Sequence, residues 1–151
     1  MERLVRVRAD LDFCKRLKEG KFIYDYIRTD KPATYEIQYE FQDWYVTDIG
    51  GTPRGTMQWR NFLEGAHGII FMIDSVNKND YILAKAEIEN LINNHYSLKS
   101  AMVLLFNKRD LMEEIDNNTM RKLLVEMNLS NRTLTEKNIR YKLISLLTGE
   151  G

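Results

Sequence analysis

Apolar and polar positions alternate most sharply where Tyr35, Ile37, Tyr39 and Phe41 are separated by Glu36, Gln38 and Glu40. A period of two is the mark of a strand with one wet face. Gln42-Asp43 then turns the chain into a second strand beginning at Trp44, so the pair predicts a hairpin. That second strand ends in Asp48-Ile49-Gly50-Gly51, where backbone without side chains can approach a charged ligand. Two further segments, Gly68–Asp74 and residues 102–108, are continuous apolar runs that stop at polar residues, as strands buried on both faces of a parallel sheet do. Three strand ends thereby bring polar groups to one edge, the carboxyl edge at which open α/β sheets bind ligands.

The remaining elements read less sharply. Arg3, Arg6 and Arg8 alternate with Leu4 or Val5 and with Val7. Asp10 is placed to cap a short helix over residues 11–19, with Leu11, Cys14, Leu17 and Lys18 on one face and Gly20 closing it. Residues 22–32 have no firm period and read as a loop or a ragged strand, and Thr52-Pro53-Arg54-Gly55 as a polar link. Met57, Trp59, Phe62 and Leu63 then fall on a short irregular helix, serving either the core or a partner-binding face. A helix over residues 80–95, with Ile82, Ala86 and Leu91 inward, returns the chain right-handed to the 102–108 strand. A second helix over 119–127 presents Met120, Leu123, Leu124 and Met127, and residues 140–146 read as the last strand.

Composition narrows the class. With 151 residues, 44% hydrophobic and 11% aromatic, the chain predicts a single domain over 1–151 with enough apolar surface for a core. Lys plus Arg and Asp plus Glu both number 22, so charge gives no reason to expect nucleic acid or acidic lipid as a partner. Cys14 stands alone, which excludes an internal disulfide and fits a reducing compartment. No apolar run approaches spanning length and the first residues are not a signal peptide, so the expectation is a soluble, cytoplasmic protein.

The most specific chemistry follows the 102–106 run, at Asn107-Lys108-Arg109-Asp110. A carboxylate at Asp110 can accept parallel hydrogen bonds from a ring N–H and an exocyclic amine on adjacent atoms, which guanine offers and adenine does not. Lys108 can lay its alkyl stem over a purine face while its ammonium stays wet. Asn107 carries both a donor and an acceptor with which to tie neighbouring loops together.

With these motifs in order, the chain resembles the small GTPases, and within them the Arf/Sar family. Asp48-Ile49-Gly50-Gly51 is similar to that family's phosphate and magnesium motif, and Asn107-Lys108-Arg109-Asp110 to its guanine motif. Leu17-Lys18-Glu19-Gly20, Trp59-Arg60-Asn61-Phe62, Gly68–Asp74 and Thr148-Gly149-Glu150-Gly151 also match, so the resemblance spans residues 14–151. It implies a P-loop NTPase-like α/β fold, with a mostly parallel central sheet, flanking helices and an antiparallel first hairpin. It implies GTP or GDP and magnesium as cofactors. Asp48 would hold magnesium through water, Gly50 and the Gly51 amide would face the γ-phosphate, and Asn107, Lys108 and Asp110 would hold guanine. Ser145 and Leu146 would touch the base from the other side, Leu146 being larger than the residue usual there. Thr29 and Thr34 are alternative magnesium ligands of the first switch.

The departures from the family are specific. A Gly-rich phosphate loop ending in Gly-Lys-Ser/Thr precedes the family's first helix, whereas residues 1–13 contain no glycine and place Asp10 and Asp12 there. The catalytic position after the two glycines, glutamine or histidine in the family, is Thr52, too short to orient an attacking water as those side chains do. The chain stops where the family's last helix would begin, so the resemblance implies a domain incomplete at both ends. Two functions are expected. One is a GTP-binding switch of vesicle transport between ER and Golgi, with exchange factor, GTPase-activating protein and coat or effector partners and peripheral membrane contact. The other is a pseudo-GTPase that keeps the fold as a protein-interaction module. The arginines of 3–8 also suggest that the central slot of the sheet is left open or filled in a frayed way.

Overall fold

The computed structural model describes residues 3–8, 32–49, 62–63, 65–94 and 100–151. The chain divides into two compact units, Met1–Met72 with Leu98–Ala101, and Ile73–Ser97 with Met102–Gly151.

In the first unit, strand β1 (Arg3–Arg8) lies between β3 (Gln42–Asp48) and β4 (Gly68–Asp74), parallel to both, and β2 (Ala33–Tyr39) pairs antiparallel with the outer side of β3. Val5 stands opposite Val46 on one side and Gly68 on the other. The central slot is therefore filled and not open, because each backbone edge of β1 finds a ladder partner whatever the side-chain sequence. The hairpin is present, but its turn is Glu40-Phe41, with Tyr39 opposite Gln42. Both turn residues have positive φ, 50° and 59°, the two-residue geometry whose twist matches that of the strands. Phe41, placed on the strand by alternation, is instead the tip. The inward residue of β2 is Ile37, facing Trp44 across the ladder, and Val46, Ile49, Ile69 and Phe71 complete this side of the core.

The second unit takes up β4 at Ile73 and continues into helix α1 (Lys78–Asn94), β5 (Ala101–Asn107), α2 (Thr119–Glu126), α3 (Asn131–Glu136) and β6 (Ile139–Leu143). Asn77 caps α1, its side-chain oxygen accepting the Asn79 amide at 3.2 Å. The helix buries Tyr81, Ala84, Ile88 and Leu91, whereas Ile82 is 75% exposed and Ala86 is also exposed. Leu91 is inward as expected, whereas Tyr81, Ala84 and Ile88 take the places expected of Ile82 and Ala86, and three- and four-residue steps from Tyr81 describe the stripe. On α2, Leu123 and Leu124 are buried with Met127 just beyond, as expected, and Met120 is half-buried.

Strand β6 runs parallel to β5, from Met102 opposite Ile139 to Phe106 opposite Leu143. It ends three residues earlier than the 140–146 pattern, since Ile144 donates to the Phe106 carbonyl at 2.8 Å and the chain then turns. Helix α3 has no counterpart in the apolar pattern. It is six residues long and buries Leu134, and it is started by Ser130, whose hydroxyl accepts the Thr133 amide at 3.0 Å. The predicted 11–19 helix with Cys14, the 22–31 segment, Met57 and Trp59 lie outside the described residues.

Candidate functional site

Asn107, Lys108 and Asp110 converge with the loop after β6. Asn107 closes β5. Its carbonyl accepts the Ser75 amide at 3.0 Å and its side-chain oxygen accepts the Leu146 amide at 2.9 Å, so one residue ties the end of β4 and the 144–150 loop to the strand between them. Lys108 follows with φ 69°, in the left-handed region, where a residue bearing Cβ costs roughly 1–2 kcal/mol and where strain is concentrated at functional sites. That dihedral starts the single 3-10 turn Arg109–Leu111, which carries Asp110.

Two acidic side chains organise the charge. The Lys108 ammonium lies 2.7 Å from one oxygen of Asp74, while the other oxygen accepts the Val76 and Asn77 amides at 3.1 and 3.3 Å. Asp74 is thereby fixed by backbone and in turn fixes the lysine head. The Asp110 carboxylate accepts a hydrogen bond from the hydroxyl of Ser145, a buried residue that also receives the Thr148 amide at 3.1 Å. A carboxylate has about four acceptor positions, and Ser145 fills one of them. The loop is further closed by Arg109 N–H to Ile144 O at 3.1 Å, Ser145 N–H to Glu150 O at 2.8 Å and an Arg109–Glu150 ion pair at 3.6 Å.

Of the residues singled out from sequence, Asn107, Lys108, Asp110, Ser145 and Leu146 thus stand together, Leu146 half-buried. Asp74 and Glu150 join them, Asp74 at the edge where its strand end was expected, though neither was given a role at the site. Asp74 had a signal, since it ends the strand preceding the crossover, but its pairing with a lysine 34 positions on belongs to the fold. In the first unit Asp48 ends β3 fully buried, in register with Val7 and Ala33. Thr34 lies inside β2, its hydroxyl 2.9 Å from that of Thr47. Thr29, Gly50, Gly51 and Thr52 lie outside the described residues.

The family model of the ADP-ribosylation factor family matches residues 13–151. Among solved structures, the Arl6 (BBS3) small GTPase of Trypanosoma brucei, with bound nucleotide analogue GppNp, superposes with a TM-score of 0.81 at 15% identity. The match covers 100% of this chain and 91% of that one.

Proposed function

Because the chain belongs to the ADP-ribosylation factor family, we propose that it is a guanine-nucleotide switch of vesicle transport. Family and fold support a GTP-binding regulatory switch; action between ER and Golgi, through coat or effector proteins, is the finer part of the proposal. The carrying observation is the Asp110 carboxylate held by Ser145 beside a lysine held by Asp74. In this arrangement Asp110 accepts the guanine ring N–H and exocyclic amine, the Lys108 stem covers the base, and Asn107 keeps the Leu146 amide at its edge. Exchange factor and GTPase-activating protein are the expected regulators, and the location is cytoplasmic with peripheral membrane contact.

The phosphate end is assigned to Asp48, Gly50 and Gly51. The donor set suits magnesium, since a fully buried carboxylate at a strand end can hold a hydrated cation whose remaining ligands are water and phosphate oxygens. Thr29 and Thr34 stay alternative ligands in the first switch, Thr34 lying inside β2 with its hydroxyl 2.9 Å from that of Thr47. After β1 the chain runs Ala9-Asp10-Leu11-Asp12-Phe13 without glycine. The loss of several charge-assisted hydrogen bonds, each worth roughly 1.5–3 kcal/mol, sets the expected nucleotide affinity at micromolar or weaker. Thr52 makes hydrolysis slow. The same segment favours the second reading, a pseudo-GTPase serving as a protein-interaction module.

Calorimetry with GTP, GDP and ATP in magnesium tests both readings. Guanine nucleotides are expected to bind weakly and ATP not at all, and Asp110→Asn is expected to shift preference towards xanthine nucleotides, because an amide exchanges one acceptor for a donor. Equal affinity for ATP and GTP would overturn the guanine assignment. Stoichiometric GDP retained through gel filtration would overturn the weak affinity, and no binding of any nucleotide would leave the interaction module.

A further inference from the structure

The tip of the β2–β3 hairpin carries a feature that the nucleotide site does not use. Phe41 is fully solvent-exposed and Tyr39 is 61% exposed. Both turn positions have positive φ, a geometry that asparagine, aspartate and glycine adopt readily and a phenylalanine does not. An aromatic ring therefore stands in water on a backbone that disfavours it, so neither burial nor turn formation accounts for its presence. Glu40 shares the turn, Glu36 and Asp43 lie on the sheet face opposite Tyr39, all three are exposed, and residues 32–49 contain no lysine or arginine.

We propose that this tip is a docking knob for a basic amphipathic segment of a partner protein. The segment would cross the end of the hairpin, its apolar side chains packing on Phe41 and Tyr39 and its lysines and arginines reaching Glu40 in the turn and Asp43 on the other face. The charge decides the occupant: a tip whose charged residues are all acidic repels the anionic lipid surface that an exposed aromatic would otherwise suit and disfavours a second copy of the same tip. Aromatic residues at an interface centre with charged groups at its rim are the usual distribution of binding energy.

The test uses the full chain, labelled with nitrogen-15, and synthetic probes. A fourteen-residue Lys/Leu amphipathic peptide is expected to shift the amide signals of Tyr39, Glu40, Phe41 and Asp43, with weaker binding as salt is raised. Its Glu/Leu counterpart and vesicles of phosphatidylcholine with phosphatidylserine are expected to leave them unchanged. Phe41→Asn suits the left-handed backbone, so it keeps the turn, and it should weaken the Lys/Leu peptide at least tenfold. The double variant Glu40→Lys, Asp43→Lys should exchange the preference to the Glu/Leu peptide. Signals that respond to vesicles and not to the Lys/Leu peptide, that shift with protein concentration alone, or that follow the peptide equally in Phe41→Asn would each overturn the proposal.

Discussion

The Ser145 hydroxyl donates to the Asp110 carboxylate while accepting the Thr148 amide, so one small side chain orients the base-reading group and shapes the loop beside it. A hydrogen bond to a charged group is worth roughly 1.5–3 kcal/mol. Ser145→Ala is therefore expected to weaken GTP and GDP about tenfold or more in calorimetry, and an unchanged Kd would show that Asp110 keeps its orientation without the hydroxyl. Tyr81 makes stability depend on pH. Burial, with Glu126 and Asp74 adding to it, raises its phenol from 10.0 to about 12, and its O–H donates to the Ser75 carbonyl at 2.5 Å. Below pH 10 both folded and unfolded phenols are neutral and the contact contributes in full. As pH rises from there to about 12, the unfolded state ionises first and stability falls. Urea unfolding at pH 9 and pH 11 should show this loss in the native chain, and Tyr81→Phe should flatten it. Asp110 was legible because its residue type and place after a strand carry chemistry, and Ser145 only through the family resemblance; the Asp74–Lys108 pair was not, since nothing local links the two.

At the scale of elements, the hairpin shows how a periodic pattern can be right about a strand and wrong about its end. Tyr35, Ile37 and Tyr39 keep the alternation, but the two-residue turn falls on Glu40-Phe41, neither of which is a turn former by composition. The geometry is nevertheless the hairpin type that an asparagine followed by a glycine favours. The double substitution Glu40→Asn, Phe41→Gly removes left-handed strain of roughly 1–2 kcal/mol per residue, less what glycine loses in entropy. The expected result is a rise in melting temperature of about 2–4 °C, the response of a chain of this size to about 1 kcal/mol. A fall would show that Phe41 stabilises the tip. Helix α1 has the converse history. Its existence was readable, but Ile82 and Leu83 point outward and Tyr81 inward, because which of two adjacent apolar stripes is buried depends on the surface that the helix meets.

At the scale of the whole molecule, β1 is the informative strand. Arg3, Arg6 and Arg8 argue against a central place, yet the backbone is paired on one side with residues 44–48 and on the other with residues 68–71. Its amides are expected to exchange slowly with solvent. Hydrogen exchange should protect Val5 and Val7 more than the residues of β2, which flanks β3 on one side alone; rapid exchange at both valines would mean that the ladder opens readily in solution.

The sequence by itself determined the α/β class, the order of strands and crossover helices, and the grouping of Asn107, Lys108 and Asp110 at the end of one strand. These follow from local periodicity and from side-chain chemistry read in order. It also determined that no glycine follows β1 before residue 14, the observation that sets the expected phosphate affinity. Tertiary structure decided the rest: the filling of the central slot, the inward stripe of α1, the short polar helix α3, the stop of β6 at Leu143, and the pairs Asp74–Lys108 and Ser145–Asp110. The slot and the two side-chain pairs depend on groups far apart along the chain, whose partners exist only once the strands lie side by side, and the α1 stripe and Leu134 of α3 depend on the surface each helix meets.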